Sequence, residues 1–173
     1  MVIWLVGLSG SGKTTIGKEI YKLWKAIAPN TVMIDGDEMR DLLVADGEPN
    51  DFSMEGRYKL ALQYSRICAW LDKQDINVIC CTISNFKDIY KQNRVQLSEY
   101  FQVFLNANIE LLLQRDPKGI YSRAAKGLEK NVVGVDLPFT PPKGSDLEID
   151  VANNIFSPEE AAIYIMKEAG VIG

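Results

Sequence analysis

Histidine is absent from the 173-residue chain. This absence excludes a Ser-His-Asp or Cys-His catalytic group and every site in which histidine binds zinc or haem iron. An acid–base step must therefore use Asp, Glu, Lys or Tyr. Cysteine is scarce, and Cys68, Cys80 and Cys81 are odd in number and lack the spacing of a zinc site. They exclude a disulfide framework and are typical of buried thiols in the cytosol.

Positive charge is in slight deficit, because 19 Lys and Arg stand against 23 Asp and Glu, which gives a net charge of −4. Such an acidic chain is not expected to coat nucleic acid. The apolar start at residues 1–6 is too short to span a membrane and has no basic leader. We therefore expect a cytoplasmic protein with no nucleic-acid or membrane partner. The length predicts a single domain over residues 1–173.

Apolar runs alternate with longer amphipathic segments along the chain. The runs predict strands at residues 2–6, 31–35, 77–83, 101–105 and 148–151. The helical spacing predicts helices at residues 13–28, 38–44, 54–73, 88–98, 109–114 and 158–169. This alternation predicts an α/β fold with a parallel sheet and helices on both faces. Residues 115–145, with four prolines and four glycines, interrupt the pattern and predict a mobile lid.

Residues 7–14 read G-L-S-G-S-G-K-T and match the phosphate-binding P-loop motif G-x-x-x-x-G-K-[ST], between a predicted strand and a predicted helix. The glycines allow consecutive backbone N–H groups to surround phosphate oxygens. Lys13 is expected to bridge the β- and γ-phosphates of ATP, and the Thr14 hydroxyl is expected to bind Mg²⁺. The predicted ATP-binding residues here are Gly7, Ser9, Gly10, Ser11, Gly12, Lys13, Thr14 and Thr15. No N-K-x-D segment of a guanine-selective switch protein is present, which favours a small kinase.

A pair of carboxylates, Asp35 and Asp37, follows the second predicted strand. The carboxyl ends of parallel strands face the ligand crevice, and on an extended chain these two side chains face the same side. One carboxylate can hold Mg²⁺ through water, and the other can take a proton from an attacking hydroxyl. The alternative is a polar turn in which an aspartate caps the next helix.

Six segments together resemble the adenylylsulfate (APS) kinase family. They are residues 7–15, the D-G-D-E-M-R run at 35–40, Phe52-Ser53 followed by Arg57, Ile83-Ser84, the R-D-P-K-G-I-Y run at 115–121 and the K-N-V-V-G-V-D-L-P-F run at 130–139. Their order and spacing match across residues 2–150, which is nearly the whole chain. The resemblance implies a P-loop kinase fold with a mobile lid. It also implies transfer of the γ-phosphoryl group of MgATP to the 3′-hydroxyl of a nucleotide.

The resemblance implies roles for individual residues. Asp37 is the expected base, Lys13 and Asp35 complete the catalytic set, Thr14 and Asp35 serve Mg²⁺, and Arg115 joins the ATP-binding residues. The expected acceptor-binding residues are Asp37, Arg40, Phe52, Arg57, Ile83, Ser84, Lys118, Asn131 and Val132. Arg40 and Arg57 suit the phosphate-containing 5′ group because a guanidinium bonds such an anion at two points. Relatives are often dimers, which leaves a homodimer open.

Several residues depart from the family pattern on the acceptor side. Leu60, Leu62 and Gln63 stand where the family has Asn and two Arg, Val132 replaces a Phe that stacks on adenine, and Asn85-Phe86 replaces a proline-containing loop. A lost stacking partner favours a smaller base. We therefore expect the same reaction on cytidine diphosphoramidate, a cytidine 5′-diphosphate analogue of capsule phosphoramidate synthesis. The alternatives are a true adenylylsulfate kinase, which makes 3′-phosphoadenylylsulfate, and a non-catalytic nucleotide-binding regulatory module.

Overall fold

The structure is a computed structural model that describes residues 1–44, 49–84, 86–153 and 156–173. Its strands are β1 (Val2–Val6), β2 (Thr31–Asp35), β3 (Asn77–Thr82), β4 (Tyr100–Asn106) and β5 (Leu147–Asp150). They form one sheet in the order β2-β3-β1-β4-β5, and every described pair of neighbours is parallel. The predicted α/β fold with a parallel sheet is confirmed.

Seven helices lie between and after these strands in the described part of the chain. They are α1 (Lys13–Ile27), α2 (Gly36–Leu43), α3 (Met54–Asp72), α4 (Lys87–Gln96), α5 (Ile109–Arg115), α6 (Ile120–Ala125) and α7 (Pro158–Glu168). Six of them were predicted, with ends that differ by at most two residues. The six-residue α6 was not predicted, and it lies inside the expected lid. None of the described helices combines the length and the apolar character needed to cross a bilayer.

Helices cover both faces of the sheet, as β1 shows most directly. Ile3 and Leu5 pack with side chains of α1 and α7, whereas Val2, Trp4 and Val6 pack on the opposite face with α3 and α4. All five residues are fully buried. A strand that is covered on both faces needs a continuous apolar run, and this explains the sequence of β1.

The strand order brings three chain segments to one edge of the sheet. The P-loop leaves the carboxyl end of β1, Asp35 ends β2, and Ile83-Ser84 follow β3. Because β1, β3 and β2 are adjacent and parallel, their carboxyl ends open into one crevice. Asn85, which belongs to the next stretch of that third segment, lies outside the described residues.

The prediction that Asp35 and Asp37 share one face of an extended chain is wrong. Helix α2 begins at Gly36, so Asp37 lies in its first turn rather than in a strand. The early start has a local cause: the Asp35 carboxylate accepts a hydrogen bond from Asp37 N at 3.0 Å and caps the helix. The capping alternative therefore holds as well, and the carboxylates converge through a helix cap instead of through strand alternation.

Candidate active site

The loop between β1 and α1 needs glycine at specific positions. Gly10 has φ 77° and Gly12 has φ 96°, values that side chains rarely tolerate. A Cβ at Gly7 would lie 2.7 Å from both the Leu105 carbonyl oxygen and Ser11 Oγ, so this position has no room for a side chain. The loop thus curls tightly before α1, and the N-terminal end of that helix opens toward the crevice.

Lys13 is the first residue of α1, and its side chain returns into the loop. Its Nζ donates a hydrogen bond to the Leu8 carbonyl oxygen at 2.7 Å, and the residue is only 8% exposed. Burial lowers the pKa of Lys13 to about 8, although Asp37 and Asp35 nearby favour the charged form. The ammonium group is therefore in a dry, preorganised position in which a phosphate oxygen would stabilise its charge.

Thr14 and Asp35 are in direct contact at the start of α1. The Thr14 hydroxyl donates a hydrogen bond to Asp35 Oδ2 at 2.6 Å, and Asp35 is 7% exposed. The two residues that were predicted to bind Mg²⁺ are therefore in contact, although 21 positions separate them in the sequence. Hydroxyl and carboxylate oxygens of this kind are the ligands that Mg²⁺ prefers, together with phosphate oxygens.

Asp37 and Lys118 form an ion pair between α2 and the lid segment (residues 115–145). The Lys118 ammonium group contacts Asp37 Oδ2, and both side chains are more than half exposed. The sequence placed both residues at the acceptor, and the structure brings them into contact across the crevice. Asp37 Oδ1 is the carboxylate oxygen that this ion pair leaves to other partners.

Two clefts meet at this point. The first is partly open to solvent and runs from the P-loop to α3 and the segment after β3. The predicted site residues that line it are Ser9, Gly10, Gly12, Lys13, Thr14, Thr15, Asp35, Asp37, Arg40, Arg57, Ile83, Ser84 and Lys118. Most of the candidate catalytic and phosphate-binding residues therefore share one cavity.

The second cleft is also partly open to solvent and lies between α2, the segment before α3 and the lid segment. It contains Phe52, Asn131 and Val132, and shares Arg40 and Arg57 with the first cleft. Arg57 joins its two walls, because Nε donates to the Phe52 carbonyl oxygen and Nη2 to the Asn131 carbonyl oxygen, each at 2.9 Å. The guanidinium of Arg40 lies over the Phe52 ring at 4.5 Å from the centroid.

Three predicted ATP-binding residues do not line either cleft. Arg115 ends α5 with an exposed side chain. Gly7 and Ser11 belong to the loop but are buried, and Ser11 Oγ makes no hydrogen bond to any described residue. Gly7 and Ser11 thus contribute to the packing of the loop, whereas Arg115 lines neither cleft.

Sequence reasoning missed Tyr64 as a residue of this site. Its hydroxyl donates a hydrogen bond to the Gly36 carbonyl oxygen at 2.8 Å, and the side chain lines the first cleft. Burial raises the pKa of Tyr64 to about 12, so the hydroxyl stays protonated. Its position four residues after Leu60 on α3 was the available signal, since residues with this spacing share a helix face.

The family model of adenylylsulphate kinase matches residues 1–150. The chain belongs to this family. It is 39% identical over 169 residues to the cytidine diphosphoramidate kinase of Campylobacter jejuni, which covers 96% of this chain and 95% of that protein. It is 32% identical over 149 residues to the adenylyl-sulfate kinase of Halothermothrix orenii, covering 86% of this chain and 79% of that protein.

A solved structure of the Mycobacterium tuberculosis APS kinase CysC in complex with AMPPNP and APS superposes on this kinase with a TM-score of 0.87. The two chains are 26% identical, and the match covers 98% of this chain and 96% of the other. The resemblance inferred from the motifs is therefore confirmed, and the chain is an ATP-dependent nucleotide kinase.

The departures from the family pattern are less clustered in this kinase than the sequence indicated. Leu60 and Phe86 line the first cleft and Val132 lines the second. Leu62 packs against the core and Gln63 is exposed, and neither lines a cleft. The structure therefore does not bring these two positions to the acceptor side: Leu62, two residues after Leu60, lies on a different face of α3, and Gln63 lies outside both clefts.

Proposed function

We propose that this kinase transfers the γ-phosphoryl group of ATP to the 3′-hydroxyl of cytidine diphosphoramidate. One observation carries the choice of acceptor: of the described residues that line the second cleft, Phe52 alone is aromatic. Val132 occupies the position at which a second ring would enclose an adenine. A pyrimidine has less stacking surface than a purine, so a single aromatic wall suits it better. The Campylobacter jejuni relative, named for this acceptor, supports the proposal.

The chemistry of the 5′ end supports the same acceptor. Arg40 and Arg57 line both clefts and supply planar cations for a phosphate-containing group. Ser84 is 5% exposed, and its Oγ makes no hydrogen bond to any described residue. A hydroxyl can donate to an oxygen or accept from an N–H group. A terminal phosphoramidate offers both partners, whereas a sulfate offers only acceptors.

The transfer step is assigned to groups that already converge. Asp37 orients the 3′-hydroxyl and takes its proton as the oxygen attacks the γ-phosphorus in line. Lys13 and the backbone N–H groups of the P-loop stabilise the charge that develops on the phosphoryl oxygens and on the departing ADP. Lys118, bonded to Asp37, adds a second cation at the edge of the same cleft.

Mg²⁺ fits this site as the companion of ATP. Thr14 Oγ1 and Asp35 Oδ2 lie 2.6 Å apart at the phosphate end of the cleft. Among the described residues no group of three or more His, Cys, Asp or Glu side chains could hold a metal alone, so Thr14, Asp35, phosphate oxygens and water would share the ion. Bound there, Mg²⁺ would neutralise charge on the phosphates.

The two alternatives make different demands on the site. A true adenylylsulfate kinase would use the same catalytic residues, and the CysC complex with AMPPNP and APS favours it as the second candidate. A regulatory module would bind ATP without transferring its phosphoryl group. The convergence of Lys13, Asp35 and Asp37 in one cleft supports an enzyme over such a module.

A side-by-side transfer assay tests the proposal. The enzyme is given MgATP with cytidine diphosphoramidate, with APS, with the 3′-deoxy analogue of each, or with no acceptor, and 3′-phosphorylated product is measured. We expect the highest kcat/KM with cytidine diphosphoramidate and no product from either 3′-deoxy compound. A higher kcat/KM with APS would overturn the acceptor assignment. Production of ADP at the same rate without an acceptor would indicate an ATPase.

Three broader features are also proposed. Residues 1–173 form one cooperative unit, for which a single calorimetric transition is the test. The kinase forms a homodimer, which sedimentation at several concentrations will test. The three free, buried cysteines support a cytoplasmic location, which fractionation of the source cells will test.

A further inference from the structure

The R-D-P-K-G-I-Y segment ends in a tyrosine whose position is not explained by acceptor binding. Tyr121 is 2% exposed and lines neither cleft. Its hydroxyl donates a hydrogen bond to the carbonyl oxygen of Ser9, in the middle of the P-loop, at 2.9 Å. The bond joins residues 112 positions apart and directly links the lid segment to the phosphate-binding loop.

The turn before Tyr121 holds this side chain in place. Asp116 accepts hydrogen bonds from Tyr121 N at 3.1 Å and from Ser122 N at 2.8 Å, and so fixes the first turn of α6. Gly119 enters that turn with φ 64°, a conformation that suits glycine. Asp116 and Gly119 therefore fix the turn that carries Tyr121, and in this way they fix the direction of the Tyr121 hydroxyl.

Leu112 of α5 and Pro117 of the lid segment lie close to the same part of the loop. A Cβ built on Gly10 would lie 3.5 Å from Leu112 Cδ2 and 3.6 Å from Pro117 Cδ. Tyr121 also shares one apolar cluster with Leu8 of the loop and with Leu112. The loop is thus in contact with both α5 and the lid segment.

The peptide geometry turns this contact into an effect on phosphate binding. In a trans peptide the C=O of one residue and the N–H of the next point in opposite directions, and no described peptide is cis. A Ser9 carbonyl held toward Tyr121 therefore directs the Gly10 N–H away from Tyr121, and Gly10 is one of the residues that line the first cleft. Backbone N–H groups that point inward are what a P-loop offers to phosphates.

We propose that Tyr121 is a positioning residue that orients the Ser9–Gly10 peptide for phosphate binding and couples α6 to the nucleotide. The coupling is reciprocal by thermodynamic linkage: if the hydrogen bond favours phosphate binding, bound phosphate must favour the hydrogen bond. The proposal concerns the ATP side of the site and does not depend on which nucleotide is the acceptor.

The test compares two tyrosine-to-phenylalanine variants. Tyr121→Phe removes the hydroxyl that contacts Ser9. Tyr100→Phe is the matched control, since the Tyr100 hydroxyl donates to Gln102 Oε1 at 3.0 Å and lies in neither cleft lining. The Kd values of MgADP and of inorganic tripolyphosphate are measured by calorimetry, together with the melting temperature. We expect Tyr121→Phe to weaken both ligands by about threefold to tenfold, as for one lost hydrogen bond, and to leave the acceptor KM unchanged.

The control separates positioning from general stability. Tyr100→Phe should lose stability to a similar degree and bind both ligands as the wild type does. Equal Kd values for Tyr121→Phe and the wild type, or equal losses in the two variants, would overturn the proposal. Hydrogen exchange of the unmodified enzyme gives a second readout that needs no variant: MgADP without acceptor should increase the protection of residues 120–125, and unchanged protection would contradict the coupling.

Discussion

Lys118 of the lid segment forms an ion pair with Asp37 of α2, so a cation of the lid segment contacts the carboxylate that is the proposed base. The ion pair uses Asp37 Oδ2, and a carboxylate can accept through both oxygens. An acceptor hydroxyl can therefore reach Oδ1 while Lys118 remains in place. In the proposed mechanism, this arrangement puts a positive charge beside the phosphoryl group that is transferred.

Asp37→Asn should lower kcat by about 100-fold to 10,000-fold, because the amide cannot take the hydroxyl proton. The KM for ATP should change little, since the P-loop is untouched, and the fold should survive because the side chain is 64% exposed. Glu38→Gln is the matched control: it neutralises an exposed neighbour in the same helical turn that lines neither cleft. Steady-state kinetics decide, and equal kcat values for the two variants would remove Asp37 from the mechanism.

Asp35→Asn should raise the Mg²⁺ concentration needed for half-maximal activity by about tenfold to 100-fold. The variant keeps the cap of α2, because asparagine is as good an N-cap as aspartate, so stability should be preserved. A Mg²⁺ titration at saturating ATP measures the effect. Asp88→Asn, in the exposed first turn of α4, provides the control. An unchanged Mg²⁺ requirement in Asp35→Asn would contradict the metal assignment.

ATP binding should weaken as the pH rises through the pKa of Lys13, which burial places at about 8. The protonated fraction falls from about 0.9 at pH 7 to about 0.1 at pH 9, and only the charged form attracts phosphate. The Kd of MgADP should therefore rise by about fivefold to tenfold, and binding near pH 8 should take up a proton. Calorimetry in buffers of different ionisation enthalpy measures both quantities.

Lys13→Arg supplies the control for this pH dependence. A guanidinium stays charged throughout the range, so the variant should show a nearly flat Kd between pH 7 and pH 9, whatever its absolute affinity. If the wild type and the arginine variant had the same slope, titration of Lys13 would not explain the pH dependence.

The fold and the ATP side could be predicted because they depend on local patterns. The apolar runs of β1 and β3 reflect burial on both faces, and the start of α7 follows from Ser157, whose hydroxyl caps the helix in a capping box with Glu160. The glycine spacing of the P-loop motif follows from the backbone conformation of the loop, since Gly10 and Gly12 adopt positive φ. Each of these signals acts over a few residues and remains readable without tertiary structure.

What could not be predicted depends on contacts between distant segments. Helix α6 is too short for a periodic signal, and Asp116 and Tyr121 stabilise it only where the lid meets the P-loop. The predicted orientation of Asp37 was wrong because it extended the alternating side-chain pattern of a strand past the end of β2. At that point Asp35 caps helix α2 instead. Leu62 could have been excluded from the sequence alone, since helical spacing puts it on a different face from Leu60 and Tyr64. Gln63, three residues after Leu60, could not be excluded in this way.

Val132→Phe should move the acceptor preference toward APS. A second aromatic side chain at the second cleft adds stacking of about 1–3 kcal/mol per base, which corresponds to about fivefold to 150-fold, and adenine gains more from it than cytosine. The quantity to measure is the ratio of kcat/KM for APS to kcat/KM for cytidine diphosphoramidate. Val132 is 5% exposed within an apolar cluster, so the larger side chain should also lower stability by about 1–3 kcal/mol.

Val132→Leu separates stacking from volume in this experiment. Leucine enlarges the same side chain without an aromatic face, so it should reproduce part of the stability loss and leave the ratio of kcat/KM values near that of the wild type. If both variants shifted the ratio by the same factor, the shape of the cleft and not stacking would select the base. If neither did, Val132 would not contact the acceptor, and the argument for a pyrimidine would lose its structural basis.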